Sequence, residues 1–153
     1  MIEVRREAPD APAGCELFAA YLELVRERLP GYTPTEAIHG DEAAFRGPGA
    51  AWLVLYEDGA PLACGGLRTL APGVGEIKRM FVRPRARGRG LGRRLLAELE
   101  AIARAAGLAE VRLYTTEVLA EARALYDSAG YELASTHEED GRRDFWLQKR
   151  LGG

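Results

Sequence analysis

GEIKRMFVRPRARGRGLGRRLLAELEAIA, residues 75–103, passes from a β-rich run through an Arg/Gly turn straight into a helical stripe. Residues 76–82 read as a strand. From Leu91 the apolar positions Leu91, Leu95, Leu96, Leu99, Ile102, Ala103 and Ala106 share one helix face, with Arg93, Arg94, Glu98 and Arg104 elsewhere, and Gly107 ends the pattern. A strand that turns directly into a helix presents the first helical amides to whatever lies in the turn. These amides have no carbonyl partner within the helix, and the helix dipole adds partial positive charge, so the site favours phosphate. Gly88, Gly90 and Gly92 let the backbone approach a ligand closely, and Arg87, Arg89 and Arg93 add charge. Neither common nucleotide loop is present: GxxxxGK[ST] is absent, and the third glycine of GxGxxG is Arg93 here.

Working outward, residues 2–6 alternate as a strand. Asp10 followed by Pro12 predicts a helix start capped by the carboxylate, and Pro30-Gly31 its end. Residues 31–50 read as a loop over a site, with a short helix possible around 35–45. Runs at 52–56 and 61–70 flank Asp58-Gly59, a hairpin signal. Gly73 and Gly75 predict another turn. Downstream, 111–115 reads as a strand, 119–129 as a helix stopped by Gly130, and 131–136 and 145–151 as strands about a polar turn at 138–143. The order β-α-(α)-β-β-β-α-β-α-β-β predicts a single α/β domain over 1–153.

Composition narrows the function. At 47% hydrophobic and 29% charged residues the chain has material for a packed core and is far from disorder. The net charge of −2 provides no general field for nucleic acid or anionic membrane, and the basic stretch lacks interleaved aromatics. No apolar run approaches the ~20 residues of a membrane helix, and MIEVRREAPD has no apolar signal region, so a cytoplasmic protein is expected. Cys15 and Cys64 lack metal-ligand spacing; buried thiols and no metal are expected.

The pattern RxxGxG, here Arg87, Gly90 and Gly92, between a strand and an amphipathic helix resembles the acetyl-coenzyme A motif of the GNAT superfamily of N-acetyltransferases. LYTTEVLAEARALYDSAGY, residues 113–131, resembles the second cofactor segment, with Ala122, Leu125, Tyr126 and Gly130-Tyr131 at the family's spacing and Leu119 where an asparagine is common. The resemblance covers about residues 52–151. It implies a mixed, mostly antiparallel sheet whose parallel strands 4 and 5 splay, flanked by helices, with acetyl-CoA as cosubstrate in the gap. It further implies acetyl transfer to the amine of a small molecule or peptide by direct attack in a ternary complex. A non-catalytic acyl-CoA sensor and a protein N-acetyltransferase are the alternatives, and monomer and homodimer both stay open. Cofactor contacts fall on Met80, Phe81, Val82, Arg87, Gly88, Arg89, Gly90, Leu91, Gly92, Arg93 and Tyr126.

Such chemistry needs a neutral amine, a donor for the oxyanion and a proton donor for the departing thiolate. Glu76, at the start of the central strand, is the candidate base, against a solvated strand-end carboxylate or a partner to Arg79. The resemblance gives Tyr126 as the acid, against a core tyrosine on the 122/125/126/129 face. It gives the Met80 amide as oxyanion donor, and the broken alternation of Met80-Phe81-Val82 suggests a bulge that frees backbone for the pantetheine arm. Tyr32, Glu36 and His39 are candidate acceptor contacts. The carboxylates of residues 30–50 and of the turn 137–144 suggest an acceptor bearing positive charge.

Overall fold

The structure, a computed structural model, describes residues 1–31, 45–139 and 141–152. Its elements are β1 (Ile2–Arg6), α1 (Pro12–Arg28), β2 (Ala51–Glu57), β3 (Ala60–Ala71), β4 (Val74–Val82), α2 (Leu91–Ala105), β5 (Glu110–Thr116), α3 (Ala120–Ser128), β6 (Glu132–Glu139) and β7 (Arg142–Arg150). A single 3-10 turn, Pro84–Ala86, leads from β4 towards α2. The strands form one seven-stranded sheet in the order β1-β2-β3-β4-β5-β7-β6, antiparallel except where β4 lies parallel to β5.

Each strand and helix expected among the described residues is present. The differences lie at the ends. Asp10 does not cap α1: Ala11 occupies the cap with no side-chain bond, and Asp10 Oδ1 instead accepts from Arg46 Nη2 at 2.9 Å. Asp58 (φ 49°) and Gly59 (φ 83°) form the expected two-residue turn, in which a left-handed pair matches the twist of the strands it joins. Gly75 is not a turn residue but lies within β4, where an added Cβ would meet Leu108 at 2.9 Å. The turn expected at 138–143 is tighter, because β6 runs to Glu139 and β7 begins at Arg142. The possible helix near 35–45 lies outside the described residues except for its last position.

The sheet packs on both faces. On one, α1 covers Phe45, Trp52, Val54, Cys64 and Phe81 around Leu17. On the other, α2 buries Leu91, Leu95, Leu96, Leu99 and Ala103 against Leu53, Leu55, Leu67, Ile77 and Val111, with α3 beside it. Each fully buried leucine of that stripe contributes ~2 kcal/mol of transfer free energy, which anchors α2 where the turn before it meets the sheet.

The pairing of β4 with β5 sets up the site. It runs Val74↔Glu110 to Ile77↔Leu113 and then stops, although β4 continues to Val82 and β5 to Thr116. Beyond Ile77 the strands diverge. A bulge accompanies the divergence: the β3–β4 register passes from Gly66↔Lys78 to Cys64↔Phe81, so that Arg79 and Met80 stand opposite Gly65 alone. Arg79 takes φ 57°, a conformation costly for a side-chain-bearing residue. The bulge therefore begins one residue before the expected Met80-Phe81-Val82, and it turns Met80 onto the α2 face, where its sulfur would lie 2.5 Å from a Cβ on Gly65.

Candidate active site

Into this divergence opens a cleft of about 290 Å³. One wall is the end of β4, Met80 to Val82; the floor is the turn with Arg87, Gly88, Gly90, Leu91, Gly92 and Arg93; the far wall is Leu119, Glu121, Ala122, Leu125 and Tyr126; and Tyr21 and Leu24 of α1 close it. Ten of the eleven residues expected at the cofactor thus meet in one place. The exception is Arg89, whose guanidinium turns outward and makes a two-point ion pair with Glu57.

The turn is built as its glycines require. Gly88 (φ 79°) and Gly90 (φ 76°) are left-handed, and Gly90 occupies the N-terminal cap of α2. The first helical bond runs from Arg94 N to Gly90 O at 3.0 Å, which leaves the amides of residues 91–93 without a carbonyl of their own helix. Gly92 permits α2 and α3 to touch, since a Cβ there would come within 2.8 Å of Leu125 Cδ2. Arg87 reaches back to Val82 O at 3.3 Å, and Arg93 donates to Ser128 Oγ at 2.6 Å. Glu121 stands between two cations: Arg28 Nη1 donates to its Oε1 at 2.5 Å, and Arg87 Nη1 lies 3.4 Å from the same oxygen. Although partial burial works against its charge, hydrogen bonds from its own backbone and from Arg28 hold its carboxyl below the usual range.

Tyr126 is 5% exposed, and burial, with Tyr21 nearby, pushes its phenol well above the ordinary value. Its ring packs edge-on against Tyr131 at 6.1 Å. Tyr131 in turn donates to the buried Glu100 Oε2 at 2.9 Å, and Lys149 Nζ donates to Glu100 Oε1 at 2.8 Å and to Ala129 O at 2.9 Å. This buried group locks the end of α3, and so Tyr126, against α2 and β7. Nothing in the apolar stripe of α2 announces Glu100 as buried.

Glu76 is not brought to the cleft. It is 4% exposed and accepts from Arg68 Nε at 2.7 Å, its cross-strand neighbour on β3, rather than from Arg79. Of the acceptor candidates, Tyr32, Glu36 and His39 lie outside the described residues. His137 is exposed on β6, the outer edge strand.

A second chamber, about 420 Å³, adjoins the cleft and shares Tyr21 and Leu119 with it. Its walls are Val25 of α1 and Leu29 just past its end, Tyr114 to Thr116 at the end of β5, Val118, and Arg142 and Asp144 of β7. Asp144, 2% exposed, accepts from Arg142 Nε at 2.9 Å, from Arg142 Nη2 at 3.1 Å and from the Tyr114 hydroxyl at 2.8 Å. Despite its burial, these bonds keep its carboxyl below the usual range. Sequence reading missed this chamber because its parts come from four separate elements. Nothing in the sequence marks Asp144, which falls between the turn read at 138–143 and the strand read at 145–151. Among the described residues no cluster of His, Cys, Asp and Glu is placed to hold a metal ion, and no helix is long and apolar enough to cross a membrane.

Comparison with known proteins agrees with this geometry. The sequence profile of the Acetyltransferase (GNAT) family matches residues 15–131. An IAA acetyltransferase of Azospirillum brasilense is 36% identical over 132 residues, 85% of this chain and 84% of that protein. A mycothiol acetyltransferase of Beutenbergia cavernae is 40% identical over 95 residues, 61% of this chain but 32% of that longer protein. In fold, an acetyltransferase of the GNAT family from Staphylococcus aureus Mu50 superposes with a TM-score of 0.82 over 99% of this chain and 100% of that one, at 16% identity. A cleft at splayed parallel strands, a glycine turn opening α2 and a profile match over most of the length converge: the chain belongs to the GNAT family and is an N-acetyltransferase.

Proposed function

We propose that the chain moves the acetyl group of acetyl-CoA onto the amine of a small molecule or peptide by direct attack within a ternary complex. The observation that carries this reading is the single cleft in which the glycine turn, the open edge of β4 and Tyr126 meet. The amides at the start of α2, with Arg87 and Arg93, hold the pyrophosphate, and the glycines leave room for it. The pantetheine arm lies along residues 80–82, whose β5 side has no strand partner, and pairs with the backbone as an added strand would.

The acceptor enters from the second chamber. Its nitrogen attacks the thioester carbonyl, the Met80 amide donates to the oxygen as negative charge builds, the C–S bond breaks, and the proton lost from nitrogen leaves towards solvent. Tyr126 stays protonated across the working range. A phenol with a raised pKa does not fully surrender its proton to a thiolate whose conjugate acid has a pKa of ~8.5, so its task is to hydrogen-bond the departing sulfur. Glu76, buried against Arg68, supports β4 rather than accepting the proton.

A thiol-release assay with acetyl-CoA across a panel of primary amines tests the reading. Turnover of at least one amine, with acetyl found on its nitrogen, supports it. Binding of acetyl-CoA with no turnover of any amine class would favour a sensor instead.

A further inference from the structure

Of the buried residues of α2, Glu100 alone is charged; the others are leucines, an alanine and Gly92. Its Oε2 accepts from the Tyr131 hydroxyl at 2.9 Å and its Oε1 from Lys149 Nζ at 2.8 Å, with Arg104 Nη2 3.7 Å from the same Oε1. Stability does not explain a carboxylate here. Burying an ion pair strips hydration from both partners, and an apolar side chain of similar volume holds such a position as well or better. What the charge supplies is direction, because a carboxylate fixes where a hydroxyl and an ammonium must sit.

Both donors lead to Tyr126. The Tyr131 ring packs edge-on against the Tyr126 ring at 6.1 Å, and Tyr131 N donates to Tyr126 O at 3.1 Å. Lys149 Nζ, 5.6 Å from the centre of the Tyr131 ring, continues to Ala129 O at 2.9 Å, and Ala129 N donates to the same Tyr126 O at 3.1 Å. Residues 129–131, turning at Gly130 (φ 94°), are thus tied to α2 through one arm of Glu100 and to β7 through the other. α3 has only nine residues, too few to be stable alone, so its place comes from what it is tied to. Tyr126 lies in its last turn, and Ala122, Leu125 and Tyr126 form one wall of the cleft. Glu100, Tyr131 and Lys149 line neither the cleft nor the second chamber.

Resting on the reading of Tyr126 as the sulfur contact, we infer that Glu100, with Tyr131 and Lys149 as its arms, is a positioning residue for acetyl transfer. It sets where the Tyr126 hydroxyl stands at the departing sulfur and touches neither cofactor nor acceptor. A displacement of about 1 Å at a reacting group can cost up to about 100-fold in rate, so a remote tether of this kind shows in kcat.

The test is a double-mutant cycle in kcat over Glu100→Gln, Tyr126→Phe and the double variant, with acetyl-CoA and the primary amine that turns over fastest in the amine panel, well below the melting temperature of each. Glu100→Gln keeps the side chain's shape; kcat is expected to fall about tenfold with the KM for acetyl-CoA nearly unchanged, and to fall no further once the Tyr126 hydroxyl is gone. Should that variant fail to fold, Tyr131→Phe keeps the ring and removes one arm, with an expected fall of about threefold and the same loss of effect beside Tyr126→Phe. An unchanged kcat, the same fall with and without the Tyr126 hydroxyl, or a loss expressed in the KM for acetyl-CoA would overturn the inference and leave the Tyr126 reading intact. An unchanged kcat in Tyr126→Phe itself would contradict the sulfur contact, and this inference with it.

Discussion

Tyr126 and Glu76 show how far a residue's position in sequence goes towards its role. Both are buried, yet Tyr126 lines the cleft and Glu76 does not. We propose the sulfur contact for the first, whereas the second makes a structural ion pair with Arg68. Tyr126→Phe removes one hydroxyl from the cleft and keeps the ring against Tyr131; kcat is expected to fall about 100-fold with the KM for acetyl-CoA nearly unchanged. Glu76→Gln keeps the shape of a side chain whose partner Arg68 is 30% exposed; kcat is expected to change less than about fivefold, while the melting temperature drops by a few degrees, since a partly solvated ion pair is worth ~1 kcal/mol. Steady-state kinetics on the two variants with one acceptor checks both. The reverse ranking would return Glu76 to the chemistry. Sequence reading could place both residues on their elements but not distinguish them, because what each side chain meets is set by another element: Glu76 meets Arg68 of β3, and Tyr126 packs on Tyr131 and faces the cleft.

Among the elements, the turn between β4 and α2 was the most legible. Its glycines, its arginines and the leucine stripe that follows are all local features, and they meet at the opening of α2 beside the cleft. Arg89 is the exception, since its distance from Glu57 across β2 is a tertiary fact. Less legible was the strap formed by Arg28, Glu121 and Arg87, which joins the end of α1, the start of α3 and the glycine turn. In that strap Glu121 occupies the guanidinium that a pyrophosphate would use. Glu121→Gln is therefore expected to lower the Kd of acetyl-CoA about threefold at low salt, an effect that fades as ionic strength rises. It is expected to leave binding of acetylpantetheine, which has no pyrophosphate, unchanged. Calorimetric titration of both ligands measures this, and equal effects on the two would place Glu121 at the pantetheine arm instead.

Across the whole molecule, the order of strands and helices along the chain followed from periodicity and turn residues and the mixed sheet from the resemblance to the GNAT superfamily, whereas the two chambers followed from neither, because each gathers side chains from elements far apart in sequence. The same long-range contacts set the pH range of stability. Asp144 has a folded pKa below its unfolded value of ~3.9, so its contribution is present above that value and is lost as pH falls through the folded one. Tyr131 has the opposite sign: burial, then the adjacent Glu100, raises its folded pKa. Its contribution is complete below the unfolded value of ~10 and is lost as pH rises above it. Stability measured by urea unfolding is expected to be flat between about pH 5 and 9, with Asp144→Asn flattening the acid limb and Tyr131→Phe the alkaline one.

We propose that acetyl-CoA lies in the gap between β4 and β5 with its sulfur at Tyr126, and a crystal structure with acetyl-CoA bound would show whether it does. The pyrophosphate is expected on the amides that open α2, the pantetheine arm alongside residues 80–82, the thioester oxygen at the Met80 amide and the sulfur within hydrogen-bonding distance of the Tyr126 hydroxyl. A cofactor seated elsewhere, or one whose thioester points away from both Met80 and Tyr126, would contradict it.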